Sequence, residues 1–483
     1  MKRQYKQWDL LKLNKTILAN MKHLSILLLL FLFSLTNTKA VCNDTLYLRT
    51  FIENIFYNHP LIKKAELYSS ISEAYDLKGK GALDAKLSSS YESKFFNDTD
   101  YFTIWQSETK IPTILPIDFS VGYENNQGEF LNAENSVPNN GLIYGTVNLS
   151  LIRGLLFDDQ RYDIRFAELQ GIKSEIERDL LARDIIIQAI SSYLDWSLAY
   201  NYSQISSDYF DLIRVRHENI IQLYLNGDRP AIDTIESRLN LNTAEKTFLE
   251  NSEKLIHKRQ KLSLFIWNSE GDPMSITELV TPQSMDFLLA ELEEMSLLET
   301  FFSDSDPYVR KIANDIESTQ LTNRLVREQL KPRLDLKYNT ILNLGKEDLD
   351  FTLSSSDYKY GVTFQLPITN RKTRGEMDLN RAKIKQFDLD KTQYSESLLL
   401  KYEALLQRRS ILENIVTVMN EKITNSRLLY DAEVLKFDLG ESSIFLLNQR
   451  ERKLVEAQNE QLKNFYSLGK NLMEMYYLKL GQS

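Results

Sequence analysis

The sequence predicts an α+β chain: a long antiparallel helical coiled-coil barrel joined to a membrane β-barrel that is shared between subunits. Three observations predict it. Two strongly alternating strands, Gly141–Leu151 and Tyr358–Leu366, each feed a long proline-free stretch. Those stretches, Asp158–Asn226 and Asn370–Leu439, hold one glycine apiece, Gly171 and Gly375, and all ten prolines of the chain fall outside them. At ~1.5 Å per residue each would form a helix about 100 Å long. Finally, the landmarks around the two stretches recur, giving two internal repeats per chain.

The alternation has a physical reading. Tyr358, Tyr360, Val362, Phe364 and Leu366 point to one side of the second strand, and Lys359, Gly361, Thr363 and Gln365 to the other. One face is apolar and one is wet, which is the period-two signature of a half-buried strand. In the first strand Ile143, Gly145, Val147, Leu149 and Leu151 alternate with Tyr144, Thr146, Asn148 and Ser150. Pro367 has no N–H for a ladder and stops the second strand.

Composition narrows the class. With 43% hydrophobic and 26% charged residues in 483, the chain has no series of apolar 20-residue runs and is not a polytopic helical membrane protein. The one apolar run, Leu24–Leu35, is too short to span. Lys22 and His23 precede it and Thr38-Lys39-Ala40 follows, so residues 1–40 read as a signal peptide, with Met21 as an alternative start. Its removal takes seven Lys/Arg and one acid and moves the net charge from −9 to −15. Such an acidic chain does not favour nucleic acid. Cys42 is the sole cysteine, so an internal disulfide is impossible. Its place just past the cut raises a lipoprotein reading. Lys39 fits a lipobox poorly, which favours a soluble mature N-terminus.

Taken in order, Asn58-His59-Pro60-Leu61 opens the first helix, since proline is tolerated in a first turn, and Gly79-Lys80-Gly81 ends it. A strand follows with Leu87, Tyr91 and Phe95 on one face. The long excursion Asn97–Asn140 holds a strand pair, Tyr101–Ile111 and Ile117–Tyr123, with turn-rich Asn125-Asn126-Gln127-Gly128 and Asn135–Gly141. After the strand at Gly141–Leu151 and the first long helix, the turn Asn226-Gly227-Asp228-Arg229-Pro230 supplies a glycine stop and a proline restart. The return helix runs from Ala231 to about Trp267. Residues Asn268–Ser305 form a connector with a short apolar helix near Phe287–Phe302. Then Asp306-Pro307-Tyr308 opens a helix ending near Leu330, Arg333–Leu342 is a strand, Asn343–Asp357 is a polar loop, and Tyr358–Leu366 is the next strand. The second long helix, the turn Leu439-Gly440-Glu441 and a last helix from Ser442 to Leu480 complete the chain.

Spacing tests the repeat. Pro60 to Lys86 and Pro307 to Arg333 are both 26 residues, and Leu151 to Gly227 and Pro367 to Gly440 are 76 and 73. Only the inter-strand segment differs, being longer in the first copy. The strands have the length a tilted membrane strand requires. Open sheet edges are not viable in lipid, so four strands per chain must close with other copies, and three copies would give twelve. The pair at Tyr101–Ile111 and Ile117–Tyr123 is expected to form an extracellular extension; if it inserts as well, each chain supplies six strands. Ile187, Ile190, Leu194 and Leu198 on the first long helix, and Leu412, Val416, Met419 and Ile423 on the second, form apolar stripes suited to antiparallel coiled-coil pairing.

Several segments together resemble the TolC-type outer-membrane efflux family over nearly all of the mature chain: Asn58-His59-Pro60 and Asp306-Pro307, Lys331-Pro332-Arg333-Leu334, Phe364-Gln365-Leu366-Pro367-Ile368, and the turns Leu225-Asn226-Gly227 through Asp233 and Phe437-Asp438-Leu439-Gly440. Their order, twice over, carries the resemblance. The larger first loop, Lys110-Ile111-Pro112 to Tyr123-Glu124-Asn125-Asn126, resembles the branch of the family found in Bacteroidetes-type bacteria. The resemblance implies a homotrimeric channel-tunnel that crosses the outer membrane of a Gram-negative bacterium, contacts its lipid and projects into the periplasm. There it would meet a periplasmic adaptor (membrane fusion) protein and an inner-membrane pump of RND or ABC type. It would conduct exported solutes or polypeptides passively, in efflux or type I secretion. The implied division is 1–40 targeting, 41–85 periplasmic helices, 86–152 outer-membrane strand pair one with its insertion, 153–268 hairpin one, 269–306 equatorial connector, 307–332 helix, 333–367 strand pair two and 368–483 hairpin two.

The resemblance also assigns the tips. Asn226, Gly227, Asp228, Leu439, Gly440 and Glu441 would contact the adaptor. Asp233 would fall on an acidic position of the closing constriction, with Arg229 as a local partner. The plainer reading of Asp233 is a solvated residue favoured by the helix dipole. At the second tip Leu446 and Gln449 stand where acids are expected, and Ser442 stands where a gating arginine could sit.

Other chemistry finds no support. His23, His59, His217 and His257 show no ligand spacing, Gly345-Lys346 lacks the rest of a Walker loop, and Gly79-Lys80-Gly81 is not a nucleotide fingerprint. No metal, cofactor or enzymatic activity is expected. Trp105, Trp196 and Trp267 read as packing or interfacial anchors. The competing function is a non-conducting structural or adhesive envelope coiled coil.

Overall fold

The structure is a computed structural model that describes residues 45–297, 301, 303–343 and 357–481. The expected leader, Cys42 and nearly all of the polar loop 343–357 lie outside the described residues. The chain divides into two units. In the first, strand β1 (Thr45–Leu46) pairs in parallel with β6 (Thr281–Pro282). The second unit comprises residues 47–276 and 283–481.

Its helices are α1 (Leu48–Asn58), α2 (Pro60–Lys80), α3 (Asp159–Leu225), α4 (Ala231–Ser263), α5 (Met285–Ser296), α6 (Pro307–Glu328), α7 (Arg371–Asp438) and α8 (Ile444–Leu480). The two long helices start and stop within a residue or so of the expected positions, at 67 and 68 residues. Asp158 caps α3 by accepting from the Arg161 N–H at 2.9 Å, which meets one orphan donor of the first turn. Helix α1 precedes the expected first helix. Its buried Leu48, Phe51, Ile52 and Ile55 lie on one face at helical spacing. The return helix α4 ends at Ser263 rather than at Trp267. The backbone beyond it folds back on itself, with Trp267 bridged to Pro273 and the Met274 N–H donating to the Ile266 carbonyl.

Helix α3 has a pair of partners in each half, and α7 has one partner in each. The first half of α3 packs on α2 and α6, and its second half on α4 and α8. Helix α7 packs on α6 and then on α8. Side-chain bridges mark the path: Arg165 to Glu317 and Lys173 to Asp315 join α3 to α6, and Lys258 to Asp195 joins α4 to α3. In the half that carries the hairpin turns the order is therefore α4–α3–α8–α7. The core lies midway along α3, where Ile190, Tyr193, Leu194 and Trp196 are fully buried and the Tyr193 ring lies 5.7 Å from that of Phe51. The outer helices keep apolar stripes in solvent: Ile232, Ile235, Leu239, Leu249 and Ile256 on α4, and Leu400, Ile411 and Val418 on α7. Leu412 and Met419 form the inward stripe of α7, as expected.

The sheet departs from expectation. Six strands, β2 (Lys86–Phe96), β3 (Thr99–Ile111), β4 (Ile117–Gln127), β5 (Leu142–Ser150), β7 (Arg333–Asn343) and β8 (Tyr358–Gln365), form one antiparallel sheet in the order β2-β3-β4-β5-β7-β8. The strand pair expected to stand apart as an extension is instead built into the sheet. Strand β3 pairs with β2 from Lys86↔Lys110 to Phe96↔Thr99, and β4 pairs with β5 from Ile117↔Leu149 to Glu124↔Leu142. Strand β4 also runs on to Gln127 through residues whose composition reads as a turn. The reason is the short connection Asn97-Asp98, whose φ values of 52° and 54° match a two-residue hairpin turn. It sends β3 straight back along β2.

Candidate functional site: sheet faces and hairpin tips

The pairing assigns every strand residue to a face. One face carries Leu87 and Tyr91 on β2, Trp105 on β3, Phe119, Val121 and Tyr123 on β4, Val147 and Leu149 on β5, Leu336 and Tyr338 on β7, and Tyr360, Val362 and Phe364 on β8, with Ser89, Ser107 and Thr109 between them on β2 and β3. Most of these are exposed. The other face carries Glu92, Lys94, Gln106, Glu108, Asp118, Ser120, Thr146, Asn148, Asp335, Lys337 and Lys359, together with Phe102, Ile104 and Tyr144. Ser120 and Thr146 at its centre, and Asp335 near the start of β7, are buried, so the sheet curls with its polar side concave. Two ion pairs lie there, Lys110 with Asp118 at 2.9 Å and Arg333 with Asp335. The Tyr144 ring crosses over Gly122, where a Cβ would meet it at 2.2 Å, and its hydroxyl donates to Glu108 at 3.0 Å.

The two hairpin tips have the same backbone. Gly227 (φ 84°) and Gly440 (φ 78°) each end a long helix in the left-handed region. Asp228 donates to the Leu223 carbonyl and Glu441 to that of Lys436, at 2.9 and 2.8 Å. These are six-to-one bonds that satisfy the last helical carbonyls. No atom lies within 4 Å of a Cβ built on either glycine, so it is φ rather than space that demands them.

Arg229 and Asp233 lie 3.8 Å apart. Arg229 also does what the sequence did not indicate: its guanidinium lies 4.5 Å from the centre of the Phe437 ring, at the end of the other hairpin. At the second tip Ser442 does not reach across to the first. Its hydroxyl donates to Glu433 on its own hairpin. Leu446 and Gln449 are exposed.

A two-pronged tie between the hairpins lies two to three turns deeper. Arg216 of α3 donates to both oxygens of Glu451 of α8, at 2.5 and 3.0 Å, and to the Tyr430 hydroxyl of α7 at 3.4 Å. Burial works against the Arg216 charge, but the Glu451 carboxylate outweighs it and holds the guanidinium above its ordinary value. Beside it His217 shares a 2.7 Å hydrogen bond with Ser237. Burial and the Arg238 charge push that ring below the usual histidine value. This network was missed in the sequence, though a signal exists. Glu451 interrupts the apolar series Ile444, Leu447, Leu454 at a position that should face the core.

Near the middle of α3, Asp195 accepts from Lys258 at 2.8 Å and Tyr466 at 2.7 Å, with Lys470 at 3.7 Å. Burial raises the Asp195 carboxyl, and these partners overcome it and hold it below the usual range. Lys470 is itself lowered, because its burial outweighs the more distant carboxylate. Among the described residues no cluster of three or more His, Cys, Asp or Glu side chains could hold a metal ion, and no helix is long and apolar enough to cross a membrane.

No protein-family model matches the chain, and no curated protein sequence does. Solved structures do. The chain is similar to the Campylobacter jejuni CmeC outer membrane channel, with a TM-score of 0.61 at 12% identity over 90% of this chain and 86% of that one. It is similar to CusC, with a TM-score of 0.61 at 13% identity over 93% and 96%. It is also similar to the open state of the Neisseria gonorrhoeae MtrE outer membrane channel, with a TM-score of 0.60 at 13% identity over 90% and 88%. The chain therefore has the fold of the TolC-type outer-membrane channels that its sequence resembles.

Proposed function

We propose that this chain is one subunit of a homotrimeric outer-membrane channel-tunnel. It would conduct exported solutes or polypeptides from a periplasmic adaptor and an inner-membrane pump to the exterior of a Gram-negative cell. The observation that carries the reading is the two-sidedness of the sheet. An exposed apolar face suits contact with lipid, and a concave polar face with paired charges suits a wet lumen. A six-stranded sheet has two open edges, which lipid does not tolerate, so closure requires further copies. The unpaired apolar stripes of the outer helices α4 and α7 favour the same closure, since α7 of one copy can pack on α4 of the next.

Conduction on this reading is passive and involves no catalytic group; the energy comes from the pump. The tips Asn226-Gly227-Asp228 and Leu439-Gly440-Glu441 are the adaptor contacts, and Asp233 with Arg229 forms the constriction. The contact of Arg229 with Phe437 supports a gate in which the two tips of one subunit move together. Electron microscopy of the detergent-extracted oligomer and planar-bilayer recording test the proposal together. A hollow three-fold particle that conducts, with a larger or less cation-selective conductance for Asp233→Ala, is expected. A monomer, or a rod without a bore, overturns the channel and leaves the envelope coiled coil.

A further inference from the structure

The strands inserted into the first repeat do more than lengthen a loop. We propose that β3 and β4 are themselves membrane strands, so that each subunit contributes six strands and three copies close a wall of eighteen. This deepens the channel reading and rests on it.

Three observations support it. First, the apolar face does not stop at β2 and β5. Ile117, Phe119, Val121 and Tyr123 continue it in register across β4, and Trp105 and Ile111, with the small polar Thr103, Ser107 and Thr109, across β3, on the same side as Leu87 and Val147. Of these, Trp105, Ile111, Phe119 and Val121 are exposed. An extension standing in water has no reason to keep that band on the side where the neighbouring strands keep theirs. The occupant implied is the lipid that faces the rest of the sheet.

Second, the inserted hairpin runs the full height of the sheet. Its turn, residues 112–116, lies at the end where the helices begin. There Arg161, in the first turn of α3, donates from Nε to the Ile114 carbonyl at 2.9 Å and from Nη1 to the Leu155 carbonyl at 3.2 Å. The Ser150 N–H donates to the Pro116 carbonyl at 3.0 Å. The hairpin is thus held at the foot of the wall. Third, the polar face is tied across the same strands by Tyr144 reaching over Gly122 to Glu108. That places a β5 hydroxyl on a β3 carboxylate inside the curl.

The girth is consistent. Six strands about 4.8 Å apart and tilted by about 40° cover roughly 38 Å of circumference. Four helices at interaxial distances of about 8–10 Å cover nearly the same arc. Barrel diameter grows roughly linearly with strand number, and barrels of about 16–18 strands leave an aqueous bore. The expected wall is half again as wide as the twelve-stranded one that four strands per chain would give.

Tryptophan quenching tests this. The full chain is reconstituted in vesicles of phosphatidylcholine with brominated acyl chains, which quench only indoles in contact with lipid. Trp196 is buried in the helical layer and Trp267 donates from its indole to the Leu264 carbonyl, so Trp105 is the reporter in the sheet. The expected result is a loss of emission that disappears in Trp105→Phe and returns in that background with Val121→Trp on β4 or Tyr360→Trp on β8. Quenching of Tyr360→Trp without quenching of Trp105 or Val121→Trp would overturn the six-strand wall and leave the channel standing. Quenching at none of the three would overturn the channel itself. If Trp105→Phe fails to assemble, Val121→Trp in the unaltered chain reads the same contact as added quenchable emission. Native mass spectrometry of the same oligomer counts the copies: three gives eighteen strands, and any other number overturns that count.

Discussion

Arg216 and Glu451 form a two-pronged ion pair that joins the first helical hairpin to the second, with side chains only 13% and 3% exposed. A buried pair of this kind is costly to break from one side, because the surviving charge is stranded. Arg216→Ala or Glu451→Ala should each cost about 3–5 kcal/mol, whereas Arg216→Met with Glu451→Leu should cost far less. Thermal unfolding of the purified protein, followed by circular dichroism, checks both. A double variant as unstable as either single would mean that packing, not charge, holds this contact.

Acid should loosen the middle of the helical layer through Asp195. Its carboxyl is held below the usual range by Lys258, Tyr466 and Lys470 against the effect of burial. The contribution is complete above the unfolded aspartate value of about 4 and is lost as pH falls through the lowered folded value. Asp195→Asn should therefore melt lower than the parent at pH 7, with the gap closing towards pH 3. A gap that is constant over that range would rule out the charge as its origin.

The tips should respond to glycine replacement without any clash. At Gly227 and Gly440 a side chain meets open space but must adopt a positive φ, so Gly227→Ala or Gly440→Ala should cost about 1–2 kcal/mol locally and asparagine less. Hydrogen exchange of the Asp228 and Glu441 amides reports the loss, which should stay within the tip concerned.

On the polar face of the sheet the opposite holds. Gly122→Ala places a methyl inside the Tyr144 ring, and the variant should fail to form a heat-resistant oligomer on gels. Adding Tyr144→Ala removes the obstruction and should restore assembly, while Tyr144→Phe alone, which loses only the bond to Glu108, should assemble with a lower melting point.

Much of this architecture was legible because its signals are periodic. The alternation through Tyr358–Leu366 and the empty stretches between prolines mark strands and long helices directly, and Gly227 and Gly440 mark their ends. The placement of the inserted pair was not legible. Alternation in Ile117–Tyr123 says which residues share a face but not which strand lies alongside, and the Arg161 clasp on the Ile114 and Leu155 carbonyls has no side-chain signature at the accepting end. The short connection Asn97-Asp98 was the available clue. At the tips, the pairing of Arg229 with Asp233 follows from spacing on one helix start, but its contact with Phe437 depends on how two hairpins meet some two hundred residues apart in sequence. The Arg216–Glu451 pair was hidden for the same reason.

The hairpin of β3 and β4 also bears on how the proposed wall can change size. Strands β2, β3, β4, β5, β7 and β8 alternate in direction, so the two free edges run opposite ways and both long helices leave from the same end. Adding a single strand would destroy that parity: the free edges would run alike, and one hairpin would be delivered to the wrong side of the bilayer. A hairpin whose turn is fastened at the helical end is the smallest increment that leaves the sidedness of the helices intact. In a ring of identical subunits, growth of the perimeter is therefore quantised, two strands for every copy at once.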